Sequence, residues 1–194
     1  MVQATDPKTY TAQEYLELEV NSPERHEYVN REIRLMTGGP PDHNTIAGNL
    51  LTALKLALRG KPYRVFVTDQ RLWIPAFEQY TYPDVMAVEK PLVLQEGRTD
   101  TVMNPYFIAE VLSSSTANYD RRGKFAAYRT LPTFREYLLV DQYAVHVEHY
   151  IRTAPHQWLL SEYNSLEVTL SFEAFENQVK IAELYQDVEF VEQS

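Results

Sequence analysis

The sequence predicts a mixed α/β fold, a β-sheet flanked by helices, and three observations carry that expectation. Ile46, Leu50, Leu51, Leu54 and Leu58 recur at helical spacing over one long stretch. Short runs rich in Val, Ile, Tyr and Phe follow, bounded by Pro, Asn and Asp as strands usually are. One of these runs, 107–112, is almost wholly apolar, the mark of a strand buried on both faces. Helical and strand patterns alternate along the chain, which places helices against a sheet.

The elements follow in order. Thr11-Ala12-Gln13-Glu14 reads as a capping box that opens a short helix carrying Tyr15, Leu16 and Leu18. Residues 24–30 and 32–36 read as two strands around a turn at Asn30-Arg31. Gly38, Gly39, Pro40 and Pro41 form a loop, after which Asp42 or Asn44 is expected to cap the long helix; Gly60 ends it just past Arg59. Strands are expected at 63–67 and 71–74 with a turn between them, then at 82–88 and 106–112. Ser113, Ser114, Ser115 and Thr116 make a loop rich in capping residues, and a helix over 117–130 stops at Leu131-Pro132. Strands at 136–140 and 143–150 flank a turn at Asp141-Gln142, and short strands and a polar tail follow Arg152. With no repeat and no linker, residues 1–194 read as a single domain.

Composition narrows the function. With 44% hydrophobic and 23% charged residues the chain is ordinary for a globular protein. The absence of cysteine excludes disulfides, thiolate zinc sites and a cysteine nucleophile. No apolar stretch is long enough to span a membrane, and the polar residues 1–7 do not read as a signal peptide, so a cytoplasmic protein with no membrane partner is expected. A net charge of −9 argues against coating nucleic acid by bulk charge. It leaves open a local phosphate site where a metal restores positive charge. Gly-x-Ser-x-Gly, a phosphate-binding P-loop and a dinucleotide fingerprint are all missing.

The acids are placed unusually. Asp84 stands between Tyr82-Pro83 and the apolar run Val85-Met86-Ala87-Val88. Glu110 lies inside the apolar run 107–112, on the strand face it shares with Ile108 and Leu112. Taken alone, Glu110 reads equally well as a salt-bridged structural acid or as a metal ligand. Asp84 on an earlier strand favours the metal, because two carboxylates on neighbouring strands suit a hard divalent cation. Asp120 and Lys124 are spaced for an exposed helical ion pair, but their helix begins just beyond the Glu110 strand, so Lys124 is in a position to reach back to the acids.

Pro83-Asp84 followed by Glu110-Val111-Leu112 resembles the PD-(D/E)XK nuclease signature, and the wider chain resembles the Uma family of that superfamily. The likeness runs through His26-Glu27-Tyr28, Glu32-Ile33, Pro41-Asp42-His43 and Tyr82-Pro83-Asp84-Val85. It continues through Glu110-Val111-Leu112-Ser113, Ser115-Thr116, Asp120, Lys124, Tyr128, Arg135-Glu136-Tyr137 and Val140-Asp141. The resemblance implies a restriction-endonuclease-like fold and a magnesium- or manganese-dependent endonuclease that hydrolyses phosphodiester bonds in DNA. It implies Asp84, Glu110 and Lys124 as catalytic residues, with Asp84, Glu110 and Glu27 on the metal. Where the superfamily usually has lysine this chain has Leu112, and Lys124 matches the lysine that the Uma family carries on the following helix. Arg121, Arg122, His43 and Asp69 are further candidates for substrate contact, as are Lys55, Arg59, Lys61 and Arg64, although a capping or surface role is the plainer reading for His43. His146 and His149 are expected on opposite faces of a strand and so cannot share a metal. A homodimer is expected, since closed twofold pairs are common and two copies cut two strands. The competing expectation is a catalytically inactive nucleic-acid-binding or assembly protein on the same scaffold. A metal hydrolase acting on another substrate is a third.

Overall fold

The computed structural model describes residues 8–190, so the expectation for residues 1–7 lies outside it. Helix α1 (Ala12–Asn21) opens on the expected capping box: Thr11 Oγ1 accepts from the Glu14 N–H, and the Glu14 carboxylate accepts from the Thr11 N–H. It buries Tyr15 and Leu16, while Leu18 is exposed. Strands β1 (His26–Val29) and β2 (Glu32–Leu35) form a hairpin whose turn residues Asn30 and Arg31 both have positive φ, 52° and 67°. That turn geometry matches the natural twist of paired strands.

Helix α2 (Pro41–Ala57) is not capped by Asp42 or Asn44. Pro40 is the N-cap and Pro41 takes the first helical position, where a missing N–H removes no helical bond. Asn44 instead donates from its side chain to the Gly39 carbonyl. Strands β3 (Tyr63–Val67) and β4 (Arg71–Ile74) follow but do not pair with each other. The strand expected over 82–88 begins only at Val85, as β6 (Val85–Glu89), and a separate short strand, β5 (Gln79–Thr81), precedes it. Pro83 has no N–H to give a ladder, and the chain crosses there from one sheet to the other.

After β7 (Thr101–Val102) comes β8 (Pro105–Leu112), buried along nearly its whole length as predicted. The next helix is interrupted: α3 (Ala117–Tyr119) and α4 (Phe125–Tyr128) are joined by a wide π-type turn over Asp120–Lys124, where the Phe125 N–H reaches the Asp120 carbonyl. Strands β9 (Glu136–Asp141), β10 (Val147–Ala154), β11 (Gln157–Tyr163), β12 (Thr169–Phe172) and β13 (Asn177–Lys180) and a final turn of helix, α5 (Ile181–Leu184), complete the described chain. β10 begins later than expected from sequence.

The fold is a mixed α/β arrangement. A six-stranded sheet runs β11-β10-β9-β8-β6-β3, parallel only between β8 and β9. A five-stranded sheet runs β2-β1-β5-β4-β7, and β12 pairs with β13. On one face of the larger sheet α2 packs Ile46, Leu50 and Leu54 against Val85, Ala87, Ala109 and Val111, with Leu170 and Phe172 closing the same core. On the other, Ile108, Leu112 and Leu139 meet Ala127 and Tyr128 from α4 and Leu72 from the smaller sheet. Glu110, in phase with Ile108 and Leu112, therefore faces this second core.

Glu136 fastens the C-terminal hairpin to the sheet. Fully buried at the start of β9, its carboxylate accepts from His149 Nε2 at 3.0 Å and from the backbone N–H groups of Glu173 and Ala174, each at 3.0 Å. Removing it orphans two partly buried amides and a buried histidine. Glu136→Ala is expected to lower the unfolding free energy by about 3–5 kcal/mol, read from urea denaturation. A loss under about 1 kcal/mol would mean that this carboxylate does not fasten the hairpin.

Candidate active site

The site lies where the two sheets meet. Val85 pairs with Ala109 in antiparallel register. One step past that pair, Asp84 falls opposite Glu110, and directly opposed residues share a face. The Asp84 N–H points at Glu110 Oε2, 3.4 Å away. Asp84 sits just before β6 rather than inside it, and its carboxylate is held from two sides. The Val111 N–H donates to Oδ2 at 2.8 Å and His43 Nε2 lies 3.2 Å from Oδ1.

Glu110 is held by helix side chains. The Tyr128 hydroxyl donates to Oε1 at 2.7 Å, and Lys124 Nζ lies 3.2 Å from the same oxygen. Lys124 is also 3.1 Å from Asp120 Oδ1 and 3.8 Å from Glu27 Oε1. So Lys124 turns inward as expected, and it does so without leaving Asp120. Glu27 comes from β1 in the other sheet and is further fixed by a hydrogen bond from Thr81 Oγ1. Asp84, Glu110, Asp120, Lys124, Glu27 and His43 line a cleft of about 340 Å³ that also includes Arg34, Tyr119 and the loop over 113–116.

Local backbone features make this convergence possible. The π-type turn joins α3 to α4, and within it Asp120 and Lys124, four residues apart on one face, are both buried. Gly123 sits in that turn against Tyr119, and a Cβ there would lie 2.5 Å from the ring. Gly39 plays the same part for His43, whose ring would be 2.6 Å from an added Cβ.

Electrostatics divide the acids. Burial opposes the Asp84 carboxylate, but the His43 ring, Lys124 and the Val111 N–H together hold it below its usual range. Burial pushes the Glu110 carboxyl well above its usual range; Lys124 opposes this, while Asp84 and Asp120 add to it. Burial also disfavours the Lys124 ammonium, yet Glu110, Glu27 and Asp120 outweigh it and keep the lysine protonated. Four carboxyls thus face two permanent cations, Lys124 and Arg34, across one cleft. Among the described residues no three Asp, Glu or His side chains form a ready metal cluster.

Several sequence candidates lie elsewhere. Asp69 pairs with Arg25 at 2.7 Å and is largely exposed in a different depression. Arg121 is turned to Glu148 at 2.6 Å, and Arg122 is exposed; neither lines the cleft. Lys61 donates to the Phe175 carbonyl, and Lys55, Arg59 and Arg64 are likewise absent from the lining. In the other direction, His43 is not a surface or capping residue. His146 and His149 do part as expected: His149 is buried on Glu136 and His146 meets Asn164. Sequence reasoning missed Arg34 as a site residue, although it is the cross-strand partner of Glu27 in the hairpin whose turn was located. It quoted Tyr128 only within the family likeness, although this residue stands one helical turn beyond Lys124 on the same face.

The comparisons with known proteins agree with this architecture. A family model described as "Uma2: Putative restriction endonuclease" matches residues 12–183. An uncharacterized protein of Synechocystis sp. is 42% identical over 174 residues, covering 89% of this chain and 98% of that protein. A second from the same organism is 33% identical over 153 residues, covering 79% and 80%. The crystal structure of a "putative nuclease belonging to DUF820" from Anabaena variabilis superposes with a TM-score of 0.74, covering 93% of this chain and 98% of that one. At 16% identity that likeness is one of fold.

Two outcomes follow from the ion cluster. Lys124→Met leaves Glu110 and Asp120 without their buried counter-charge and is expected to cost about 3–5 kcal/mol. Adding Glu110→Gln should recover part of that loss, a coupling a urea double-mutant cycle measures; strictly additive losses would show that the two groups do not interact. The second concerns pH. Because the folded state raises the Glu110 pKa, it binds that proton more tightly than the unfolded chain does. Wild-type stability relative to Glu110→Gln should therefore fall as pH rises above the unfolded value of about 4.3 toward the raised folded value. A difference that is flat or rises over that window would contradict the assignment.

Proposed function

The chain belongs to the family described as "Uma2: Putative restriction endonuclease", and from that premise we propose that it is a nuclease that hydrolyses phosphodiester bonds in DNA with magnesium or manganese held by Asp84 and Glu110. The observation that carries this reading is the juxtaposition of those two acids, one just before β6 and one on β8, facing one cleft with a lysine against Glu110.

The donor chemistry fits a hard divalent cation: carboxylate oxygens on rigid neighbouring strands, with Glu27 as a third acid from the second sheet. Glu110 Oε2 has only a long contact to the Asp84 N–H, whereas Oε1 is taken by Tyr128 and Lys124, so Oε2 is the oxygen free to bind. When bound, such a cation supplies a Lewis acid and positive charge beside the scissile phosphate. The protein's own groups do the rest. Val111 and His43 fix the Asp84 carboxylate, and Tyr128 fixes that of Glu110. Lys124, held protonated, presents an ammonium to the charge that builds on phosphorus oxygens as the bond breaks. Arg34 at the cleft margin offers a guanidinium to a neighbouring phosphate. Without added positive charge the excess of carboxyls repels a polyanion, which is why the cation belongs to the proposal rather than decorating it.

One observation favours the inactive-scaffold reading: Lys124 already neutralises Glu110 and Asp120, as a purely structural network would. The two readings part on one experiment. Wild-type protein is expected to bind manganese in calorimetry and to cleave duplex DNA slowly with magnesium or manganese. Asp84→Asn should lose both while its melting temperature stays within about 5 °C, since shape and hydrogen bonding survive. A wild type that takes up no metal and cuts nothing, with an Asp84→Asn variant that melts much earlier, would sink the nuclease reading and establish the scaffold.

A further inference from the structure

A second polar pocket opens at the opposite end of the helix that carries Lys124. It is lined by Arg129, Thr130, Arg152, Pro155, His156 and Trp158 and has a volume of about 450 Å³. Glu110 and Glu148 are both in register with Leu139 of β9, and Arg152 lies four residues beyond Glu148 on β10, opposite Trp158. That spacing puts the pocket roughly 15–20 Å from the acid cleft, on the same face of the sheet.

The charges here are unusual for so acidic a chain. Arg129 and Arg152 line the pocket, and Arg135 precedes β9 beside them, its carbonyl accepting from the Arg152 N–H. Among the described residues, none of the three arginines is within ion-pair distance of a carboxylate; Arg31, Arg59, Arg64 and Arg122 also lack such a partner, but Arg129 and Arg152 line one pocket together. Arg152 gives its two terminal nitrogens to the carbonyls of Leu131, Phe134 and Pro155. Those neutral acceptors satisfy donors without cancelling the charge. Its Nε is buried and has no partner. Aromatic rings hold the guanidiniums in place: Arg152 lies 5.6 Å from the centre of Trp158 and Arg129 lies 5.8 Å from that of Phe125. Among the described residues Arg129 has no side-chain hydrogen-bond partner, so its fork can turn to a ligand.

We propose that this pocket binds a phosphate group, clamped between the Arg129 and Arg152 guanidiniums with His156 at its rim; the Thr130 hydroxyl is spent on the Ala127 carbonyl. Planar guanidiniums are the side chains best matched to phosphate oxygens, and an anion here relieves the mutual repulsion of unpaired arginines. Burial, with the nearby Arg135 charge, lowers the pKa of Arg152. The phosphate belongs either to a nucleic-acid backbone or to a small phosphorylated molecule. The site does not depend on the nuclease reading, since it shares no residue with the acid cleft.

Trp158 is a built-in reporter, because the chain has only 2 tryptophans. In a Trp73→Phe background, its fluorescence is followed while inorganic phosphate, or a short duplex oligonucleotide in EDTA, is added. The same titrations are run on Trp73→Phe with Arg129→Gln, an exposed position whose change leaves the fold intact by near-ultraviolet circular dichroism. Saturable quenching by phosphate alone, weakened about tenfold by Arg129→Gln, supports the site and assigns it to small phosphates. Saturable quenching by the oligonucleotide only, lost in the variant and steeply salt-dependent, supports it and assigns it to a nucleic-acid backbone. No saturable response to either, or a response that Arg129→Gln leaves unchanged, overturns the proposal.

Discussion

A single ammonium buried among carboxylates organises the centre of this molecule. Lys124 Nζ stands within 3.8 Å of oxygens from Glu110, Asp120 and Glu27, which belong to the larger sheet, the following helix and the smaller sheet. Isolated charges of this kind are expensive to bury, and each is tolerable here only because the others are present. The same contact therefore locks three layers of the fold together and sets the electrostatics of the cleft. It explains why Glu110 sits amid apolar residues without disrupting them, and why the helix must return across the end of its strand.

That return depends on small irregularities in otherwise regular elements. Asp120 and Lys124, four residues apart, share a face and meet at 3.1 Å within the wide turn that joins α3 to α4. The absence of a side chain at Gly123 lets the Tyr119 ring close over it. Pro83 ends one ladder and starts a crossing, so that Asp84 emerges at the strand end rather than within it. Beneath the cleft, Phe107–Leu112 of β8 pair without interruption with Glu136–Asp141 of β9.

The acidity of the chain acquires a local meaning. A net charge of −9 hides an uneven distribution, with carboxyls gathered in the cleft and unpaired arginines gathered at the far end of α4. Bulk charge describes solubility and long-range steering, whereas recognition is set by what lines each concavity. The two pockets differ in how they meet a phosphate: one through carboxyls suited to hold a cation, the other through guanidiniums directly.

The sequence by itself determined the elements with local signals. The capping box at Thr11 and Glu14, the Asn30-Arg31 turn, the apolar face of α2 and the doubly buried β8 are all encoded by residues a few positions apart. It also singled out Asp84, Glu110, Glu27 and Lys124, because an acid in an apolar run is conspicuous and the ordered motif resembles a known family. Tertiary structure alone decided which strands pair: β3 and β4, separated by one turn, belong to different sheets. It placed Asp69 and Arg121 in ion pairs away from the cleft and His43 within it, on Asp84. The physical reason is range. Caps, turns and periodicity act over a few residues, whereas the direction of a charged side chain depends on partners tens of positions away, and no local pattern records where those partners will be.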